Sequence, residues 1–215
     1  MMIKPYYEEP DITIYHGDCL EIMPQLEPVD LVLTDPPFNV GKDFHNDQLS
    51  PIEFKAFINE TVLRLFYLKP KNIVVEIGKN DSIVRQELER YFPYKYSLCL
   101  NYTNSMRNGV VGYANWGLVL WFGDKCFNRY KDRLDSELHN TKNSFQHPSP
   151  KEVKHYSRLC NMFSMETQTI LDPFMDSGTT LVAAKELGRK AIGIEIEEKY
   201  CQIAVDRLRQ GVFQF

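Results

Sequence analysis

Apolar runs typical of buried strands alternate along the chain with segments of helical periodicity. Strand patterns occupy residues 12–18, 29–35, 72–78, 94–102, 116–124, 169–174 and 190–196. Apolar side chains at helical spacing occupy residues 51–67, 81–92, 150–163, 179–188 and 197–210. This alternation predicts an α/β fold with a mostly parallel sheet of seven strands, covered by helices on both faces.

Two of the predicted helices begin with the same capping signature. Ser50-Pro51-Ile52-Glu53 combines an N-cap, a proline in the first turn and a glutamate that can bond back to the cap, so a helix is expected from Pro51. Ser149-Pro150-Lys151-Glu152 repeats the signature and predicts a helix that ends near Phe163. Residues 19–26 form a short amphipathic segment, and the Asn/Gly-rich residues 103–115 are predicted to form a loop.

The composition is that of a globular protein with a single domain, expected to span residues 1–215. Of its residues, 43% are hydrophobic and 25% are charged, and no window approaches the roughly 18 uninterrupted apolar residues of a membrane span. The net charge of −4 argues against a uniformly basic nucleic-acid binder, although residues 125–158 are locally basic. The five cysteines are widely spaced and lack a metal-binding pattern. We therefore expect reduced thiols, no metal ion and a cytoplasmic location.

The stretch Asp35-Pro36-Pro37-Phe38 directly follows an apolar strand. Two prolines fix φ and remove two backbone donors, so the chain must leave the sheet here as a stiff segment. A simple turn at the end of a strand is the structural alternative. The Asp35 carboxylate and the Pro36 carbonyl could also accept hydrogen bonds from an exocyclic amine, while Phe38 stacks on the base that carries it. Such a base must first be flipped out of a duplex.

A second candidate site combines the small-residue turn at 171–180 with Glu195, about 20 residues farther along. Small residues allow the backbone to approach a ligand, and an acidic side chain at this spacing can accept hydrogen bonds from a ribose diol. No lysine follows Gly178, so the turn is not a phosphate-binding loop. Together with Asp18, which leaves another strand and could contact an adenine ring, these features predict a nucleoside-bearing cofactor.

Four segments, in their order along the chain, resemble those of the amino-group DNA methyltransferases of the β class. They are TDPPFN, HPSPKEVKHYSRL, ILDPFMDSGTTLVAA and IGIEIEEKYCQIAVDRL. In that class the catalytic motif precedes the cofactor motif, as it does here. The resemblance extends from about Ile12 to Leu208. It implies a Rossmann-like methyltransferase fold, S-adenosylmethionine as cofactor, and direct methyl transfer to an amine without a covalent enzyme intermediate.

The resemblance also implies a role for individual residues. Asp35, Pro36, Pro37 and Phe38 would form the catalytic motif, and aspartate at its first position favours the N6 amine of adenine over the N4 amine of cytosine. Glu195 would hold the ribose hydroxyls. The other residues expected at the cofactor are Asp18 and Cys19 beside the adenine, His147 and Lys151 in a flanking motif, and Asp172, Phe174, Ser177, Gly178, Thr179 and Thr180 around the methionine end.

Double-stranded DNA is the partner implied by this resemblance, and a homodimer is a candidate assembly. The target-recognition insertion is expected at about residues 125–147 and is short for the family. Basic side chains are the natural contacts for DNA phosphates. Those expected to bind the phosphates are Arg107, Lys125, Arg129, Lys131, Arg133 and Lys142.

The sequence departs from the family pattern at three positions, and it leaves two alternatives open. Phe38 replaces the usual tyrosine, Asp176 stands where glycine is usual, and Glu152 replaces a proline. Methylation of cytosine N4 is the alternative within enzymes. A catalytically silent protein that binds DNA or a partner is the alternative outside them, because the Asp176 charge adjoins the predicted cofactor site.

Overall fold

The computed structural model describes residues 3–39, 48–77, 82–102, 107–109, 112–114, 116–136 and 151–210. A single sheet of nine strands runs through the described part of the chain. Its strands are β1 (Tyr7–Glu9), β2 (Ile12–His16), β3 (Leu31–Thr34), β4 (Asn72–Ile77), β5 (Tyr94–Tyr102), β8 (Trp116–Gly123), β9 (Arg133–Ser136), β10 (Thr169–Asp172) and β11 (Lys190–Glu195), while β6 (Arg107–Gly109) and β7 (Gly112–Ala114) form a separate hairpin.

The strand order is β1-β2-β11-β10-β3-β4-β8-β5-β9. Strands β2, β11, β10, β3 and β4 are parallel neighbours, whereas β8 is antiparallel to both β4 and β5. All seven predicted strands are present, so the prediction of a mostly parallel sheet is confirmed. The predicted number of strands was too small, because the short edge strands β1 and β9 have too few residues to show an apolar alternation.

The described residues also form six α-helices and one 3₁₀ turn. They are α1 (Cys19–Ile22), the 3₁₀ turn Met23–Gln25, α2 (Pro51–Tyr67), α3 (Ser82–Glu89), α4 (Val153–Phe163), α5 (Thr179–Glu186) and α6 (Glu198–Gln210). Helices α1 to α3 pack on one face of the sheet and α4 to α6 on the other. Strand β3 shows why both faces are covered: Leu31 and Leu33 pack toward α4 to α6, whereas Val32 packs toward α1 to α3.

The predicted start of α2 is confirmed, since the Ser50 side chain and Glu53 form a reciprocal capping box. The predicted start of α4 is wrong. Glu152 is the N-cap in an extended conformation without a side-chain cap, and the helix begins at Val153. Lys151 stays outside the helix, where its side chain joins an ion pair that sequence propensity does not reveal.

Two other predictions differ from the structure in their boundaries. Helix α3 ends at Glu89 rather than at residue 92, because Arg90, Tyr91 and Phe92 continue as turns that bond back to Glu87 and Leu88. The predicted loop at 103–115 contains the β6–β7 hairpin. Its strands are only three residues long, too short for a periodic pattern.

Within the part of the chain that the structure describes, no helix is long and apolar enough to cross a membrane.

Candidate active site

The candidate catalytic and cofactor residues meet at the carboxyl edge of the parallel strands. Asp35 follows β3, Asp172 ends β10, Glu195 ends β11, and Asp18 lies just beyond β2. Because β2, β11, β10 and β3 are adjacent and parallel, their carboxyl ends lie side by side. This is the edge at which open α/β sheets bind ligands.

Asp35 sits between a charged partner and a cavity. Its Oδ2 lies 2.8 Å from Lys151 Nζ, and its side chain is only 22% exposed. Its Oδ1 is buried and has no hydrogen-bond partner among the described residues. Burial raises the pKa of Asp35 to about 7, and the charge of Glu76 adds to this rise while Lys151 opposes it. A buried acceptor atom is therefore available for a ligand that donates a hydrogen bond.

The two prolines give this carboxylate a rigid setting, as the sequence predicts. Strand β3 ends at Thr34, and residues 35–39 continue without regular secondary structure. Pro36 is buried, and the Phe38 ring lies 5.9 Å from Lys151 Nζ. Asn39 has a φ of 52° and exchanges two hydrogen bonds with the Leu49 backbone, at 2.9 and 2.8 Å. The segment after the catalytic motif is thus fastened to the residues just before α2.

Asp35 and the small-residue turn border the same cavity, whose open volume is about 330 Å³, including space continuous with solvent. The cavity brings Asp35 and Lys151 together with the residues predicted around the methionine end of the cofactor. Its lining consists of Asp35, Lys151, Tyr156, Asp172, Phe174, Met175, Asp176, Ser177, Thr179 and Thr180.

Several of these predicted cofactor residues also hold the turn itself in place. Asp172 accepts hydrogen bonds from the Thr34 hydroxyl at 2.8 Å, from the Phe174 amide at 3.2 Å and from the Thr180 hydroxyl. Burial raises the pKa of Asp172 to about 6, against the effect of these hydrogen bonds. The buried Asp172 carboxylate thereby links β3, which leads to Asp35, to the turn that follows β10.

Arg207 of α6 anchors the start of α5. Its guanidinium donates hydrogen bonds to the Ser177 carbonyl at 2.7 Å, the Ser177 hydroxyl at 2.9 Å and the Thr179 hydroxyl at 3.0 Å. Gly178, the N-cap of α5, has a left-handed φ of 77°. The roles of Ser177, Gly178 and Thr179 at a cofactor stay predictions, since what the structure shows is how they shape the turn.

Glu195 connects this turn to the end of β11. Its Oε2 accepts a hydrogen bond from the Asp176 amide at 3.0 Å, and its Oε1 accepts one from the Glu197 amide at 2.8 Å. Burial raises the pKa of Glu195 to about 7. A carboxylate can accept more than one hydrogen bond at each oxygen, so Glu195 retains capacity for the two hydroxyls of a ribose. Asp176 adopts a positive φ of 50° at the position where the family pattern has glycine.

Asp18 and Cys19 lie one strand away from Glu195. Strand β2 pairs with β11 such that His16 is opposite Glu195, and the Gly17 amide bonds to the Glu195 carbonyl. The Asp18 side chain caps α1 by accepting a hydrogen bond from the Leu20 amide at 2.8 Å. Cys19 is buried, and burial raises the pKa of its thiol to about 12. Both residues therefore lie beside the predicted ribose site, although their contact with adenine stays a prediction.

The structure describes only one of the two residues, His147 and Lys151, that were predicted to flank the cofactor. His147 lies outside the described residues. Lys151, expected at the cofactor, borders the cavity, but its ammonium is held between the carboxylates of Asp35 and Glu76. Glu76, Tyr102 and Tyr156 were not identified from the sequence as site residues. The available signal was a single charged residue, Glu76, within the apolar run that forms β4.

Two of the predicted phosphate contacts lie away from Asp35. The Lys125 carbonyl bonds to Asn72 at the amino end of β4, and Asn128 bonds to Asn161 near the end of α4. The predicted phosphate contacts Lys125 and Arg129 thus lie at the edge of the sheet opposite Asp35. The physical reason is that β8 is antiparallel and carries the chain to the amino edge before this segment begins.

The other predicted phosphate contacts are distributed differently. Lys131 and Arg133 lie around the start of β9, which runs parallel to β5 back toward the carboxyl edge. Arg107 begins the β6–β7 hairpin, which connects β5 to β8 at that edge. Lys142 lies outside the described residues. Among the predicted phosphate contacts that the structure describes, Arg107 is the one that the topology brings to the same edge as Asp35.

No group of three or more His, Cys, Asp or Glu side chains within the described ranges is arranged to hold a metal ion.

Comparison of the sequence with known families places these residues in context. The family model N6_N4_Mtase, described as DNA methylase, matches residues 59–206, which is more than half of the chain. The chain is 28% identical to the type II methyltransferase M2.LlaDCHI of Lactococcus lactis subsp. cremoris over 98% of this chain and 94% of that protein. It is 29% identical to the type II methyltransferase M2.DpnII of Streptococcus pneumoniae over 97% of this chain and 93% of that protein.

Solved structures share the fold. The crystal structure of the M1.HpyAVI-SAM complex superimposes with a TM-score of 0.73 at 27% identity, covering 92% of this chain and 98% of that chain. The cytosine-N4-specific PvuII DNA methyltransferase superimposes with a TM-score of 0.80, covering 95% of this chain and 89% of that chain. Its identity of 17% shows a shared fold only. The chain belongs to the amino-group (N6/N4) DNA methyltransferases, which use S-adenosylmethionine as the methyl donor.

Proposed function

We propose that this chain methylates the exocyclic N6 amine of an adenine that is flipped out of double-stranded DNA. The observation that carries the proposal is the buried Asp35 Oδ1, which has no hydrogen-bond partner among the described residues and borders the cavity shared with the cofactor turn. An amine is a donor that satisfies this atom. Aspartate, rather than serine, at this first catalytic position supports adenine over cytosine.

The site residues would act mainly by orientation and charge. Asp35 Oδ1 and the Pro36 carbonyl would accept hydrogen bonds from the amine, and the Asp35 carboxylate would stabilise the positive charge that develops on its nitrogen. The Phe38 ring would stack on the flipped base, which offsets part of the few kcal/mol of unstacking.

The residues present fit the cofactor of the family. Glu195 would hold the ribose hydroxyls, Asp18 and Cys19 would border the adenine, and the turn from Phe174 to Thr180 would enclose the methionine end. S-Adenosylmethionine supplies an activated methyl group when bound. The half-buried Glu195 with spare acceptor capacity and the cavity beside Asp35 support this assignment.

The product of the reaction tests the proposal. Labelled S-adenosylmethionine and unmethylated genomic DNA are incubated with the protein, and the DNA is digested to nucleosides for mass spectrometry. We expect N6-methyladenine. Detection of N4-methylcytosine instead would identify cytosine as the substrate base. Cofactor binding without any methylated nucleoside would favour a silent binding protein instead.

We further propose that the hairpin bearing Arg107 contacts DNA, because it lies at the same edge of the sheet as Asp35. Arg107→Glu is expected to weaken DNA binding and to reduce the slope of log affinity against log salt by about 1 or more. Lys125→Glu is the matched control, since Lys125 lies at the opposite edge. Fluorescence anisotropy at several salt concentrations measures both variants. An equal loss of affinity in both would contradict the placement of DNA at the carboxyl edge.

We also propose a short target-recognition region at about residues 125–147, of which the structure describes residues 125–136; its DNA contacts would lie after Arg129, where the chain turns back toward the carboxyl edge. The 255-position alignment with M2.LlaDCHI is longer than the 215 residues of this chain, so that relative carries residues absent here.

The similarity to bacterial type II methyltransferases supports a role in restriction-modification, in the cytoplasm of a prokaryotic or phage-infected cell. A homodimer is the proposed assembly, and light scattering after size-exclusion chromatography tests it.

A further inference from the structure

We infer that Glu76 is a positioning residue for methyl transfer: its buried carboxylate holds the Lys151 ammonium in place, so that Lys151 engages one oxygen of Asp35 and leaves the other available to the target amine. This inference rests on the proposed role of Asp35, but it does not depend on whether the base is adenine or cytosine.

The contacts of Lys151 are the first argument. Its Nζ donates a hydrogen bond to Glu76 Oε1 and lies 2.8 Å from Asp35 Oδ2. An ammonium group has three donors, and two of them are directed at two different carboxylates. Asp35 Oδ1 remains buried without a hydrogen-bond partner among the described residues. The shared ammonium thus occupies one catalytic oxygen and not the other.

The surroundings of Glu76 are the second argument. The Glu76 side chain is 3% exposed and lies on β4, near the carboxyl edge. Its Oε1 accepts a hydrogen bond from the Tyr102 hydroxyl at 2.9 Å, and its Oε2 accepts one from the Tyr156 hydroxyl at 3.3 Å. His155 Nε2 lies 3.6 Å from the same Oε2. Partners from β5 and α4 therefore fix the carboxylate that in turn fixes Lys151.

The protonation states agree with this geometry. Burial would raise the pKa of Glu76, but the Lys151 charge and His155 outweigh it and hold that pKa well below its usual range. Burial would lower the pKa of Lys151, but Asp35 and Glu76 outweigh it and raise that pKa well above its usual range. Both shifts favour an anionic Glu76 paired with a cationic Lys151.

Two further acidic side chains line the cavity beside the Asp35–Lys151 ion pair. Asp172 at the end of β10 and Asp176 in the following turn line the cavity with Asp35 and Lys151. The Asp176 charge raises the pKa of Asp35, though less than burial and Glu76 do. Lys151 offsets the charges of Asp35 and Glu76, and it lowers the pKa of Asp35, so its position affects the protonation of Asp35.

The test is the pH dependence of single-turnover methylation, measured with saturating cofactor and DNA. In the wild type the rate should fall as the pH drops through about 7, where Asp35 becomes protonated, since burial raises its pKa to that value. Glu76→Gln removes a neighbouring negative charge and leaves Lys151 paired with Asp35 alone. We expect the acid limb to move to lower pH by about 1 unit and the plateau rate to fall roughly tenfold, with cofactor affinity retained.

Tyr102→Phe provides an independent test with the opposite sign. Losing its hydroxyl leaves the Glu76 charge less compensated, so Glu76 draws Lys151 from Asp35 and the acid limb should move to higher pH. If Glu76→Gln fails to fold by circular dichroism, the Tyr102→Phe profile decides the question alone. Glu87→Gln is the matched control, because Glu87 is also buried and ion-paired but lies on α3, on the other face of the sheet.

An unchanged acid limb in folded Glu76→Gln, or a shift equal to that of Glu87→Gln, would overturn the inference and leave Glu76 a structural residue. In the Tyr102→Phe profile, an unmoved or lowered midpoint would do the same. A failure of the proposed role of Asp35 can be told apart from a failure of this inference. Undiminished activity of Asp35→Ala would rule out the role of Asp35, whatever the result for Glu76.

Discussion

Asp35→Ala is expected to reduce methyl transfer by a factor of at least about 100 to 1000, the usual cost of losing one preorganised electrostatic contact in an active site. The variant loses both the acceptor for the target amine and the negative charge beside it. Binding of S-adenosylmethionine should be retained, because Glu195 and the turn after β10 are untouched. Single-turnover methylation and calorimetric titration with the cofactor measure the two properties separately.

Asp30→Ala is the control for this variant. Asp30 lies at the amino end of the same strand and pairs with Lys71 at 2.7 Å, far along β3 from the cavity. Its loss should lower the free energy of unfolding while methylation persists. Undiminished methylation by Asp35→Ala would remove Asp35 from the proposed chemistry. Loss of cofactor binding in that variant would instead mean that Asp35 supports the cofactor site.

Gly178→Ala is expected to destabilise the protein strongly. Gly178 has a left-handed φ of 77°, and a Cβ built on it would lie 2.6 Å from the Ala204 Cβ of α6. The backbone strain costs about 1–2 kcal/mol, and the overpacking against α6 costs a further ~1–3 kcal/mol. Urea unfolding followed by circular dichroism measures the sum. Since this glycine begins α5 at the proposed cofactor site, affinity for S-adenosylmethionine should fall as well.

Gly188→Ala separates the two costs. Gly188 has a similar φ of 63°, but nothing lies within 4 Å of a Cβ placed there. This variant should therefore show the strain alone, about 1–2 kcal/mol. If both substitutions cost the same, the close approach of α5 to α6 at Gly178 would not contribute to stability.

The elements with a clear periodicity were predictable from the sequence, and the reasons are local. Strand β3 and helix α2 have enough residues to show an apolar pattern. The capping residues Ser50 and Glu53 mark the start of α2. Strands β1 and β9 exist because long neighbours offer them hydrogen-bonding edges, which a sequence of three or four residues does not reveal. The start of α4 was wrong for a tertiary reason, since Lys151 is held by Asp35 and Glu76.

The site was predictable only where a motif carries its own geometry. Asp35 and the turn at 172–180 were two candidate sites, each at the end of a predicted strand, and the structure brings them to one cavity. Glu76 depends on partners 26 and 80 positions away, Tyr102 and Tyr156, which no local pattern connects. The placement of Lys125 is a similar case. Its charge was visible, but the edge of the sheet to which an antiparallel β8 carries it was not.

The hydrogen bond between Thr34 and Asp172 joins positions 138 apart in sequence. Closing so long a segment is entropically unfavourable until the strands between have paired, so the centre of the sheet should form late in folding. During synthesis the chain makes Asp35, the proposed acceptor for the target amine, long before the turn that is proposed to accommodate the methyl donor. A growing polypeptide therefore has no capacity to modify DNA until its final strands have inserted beside the first ones, and recovered activity serves as a reporter of the completed sheet.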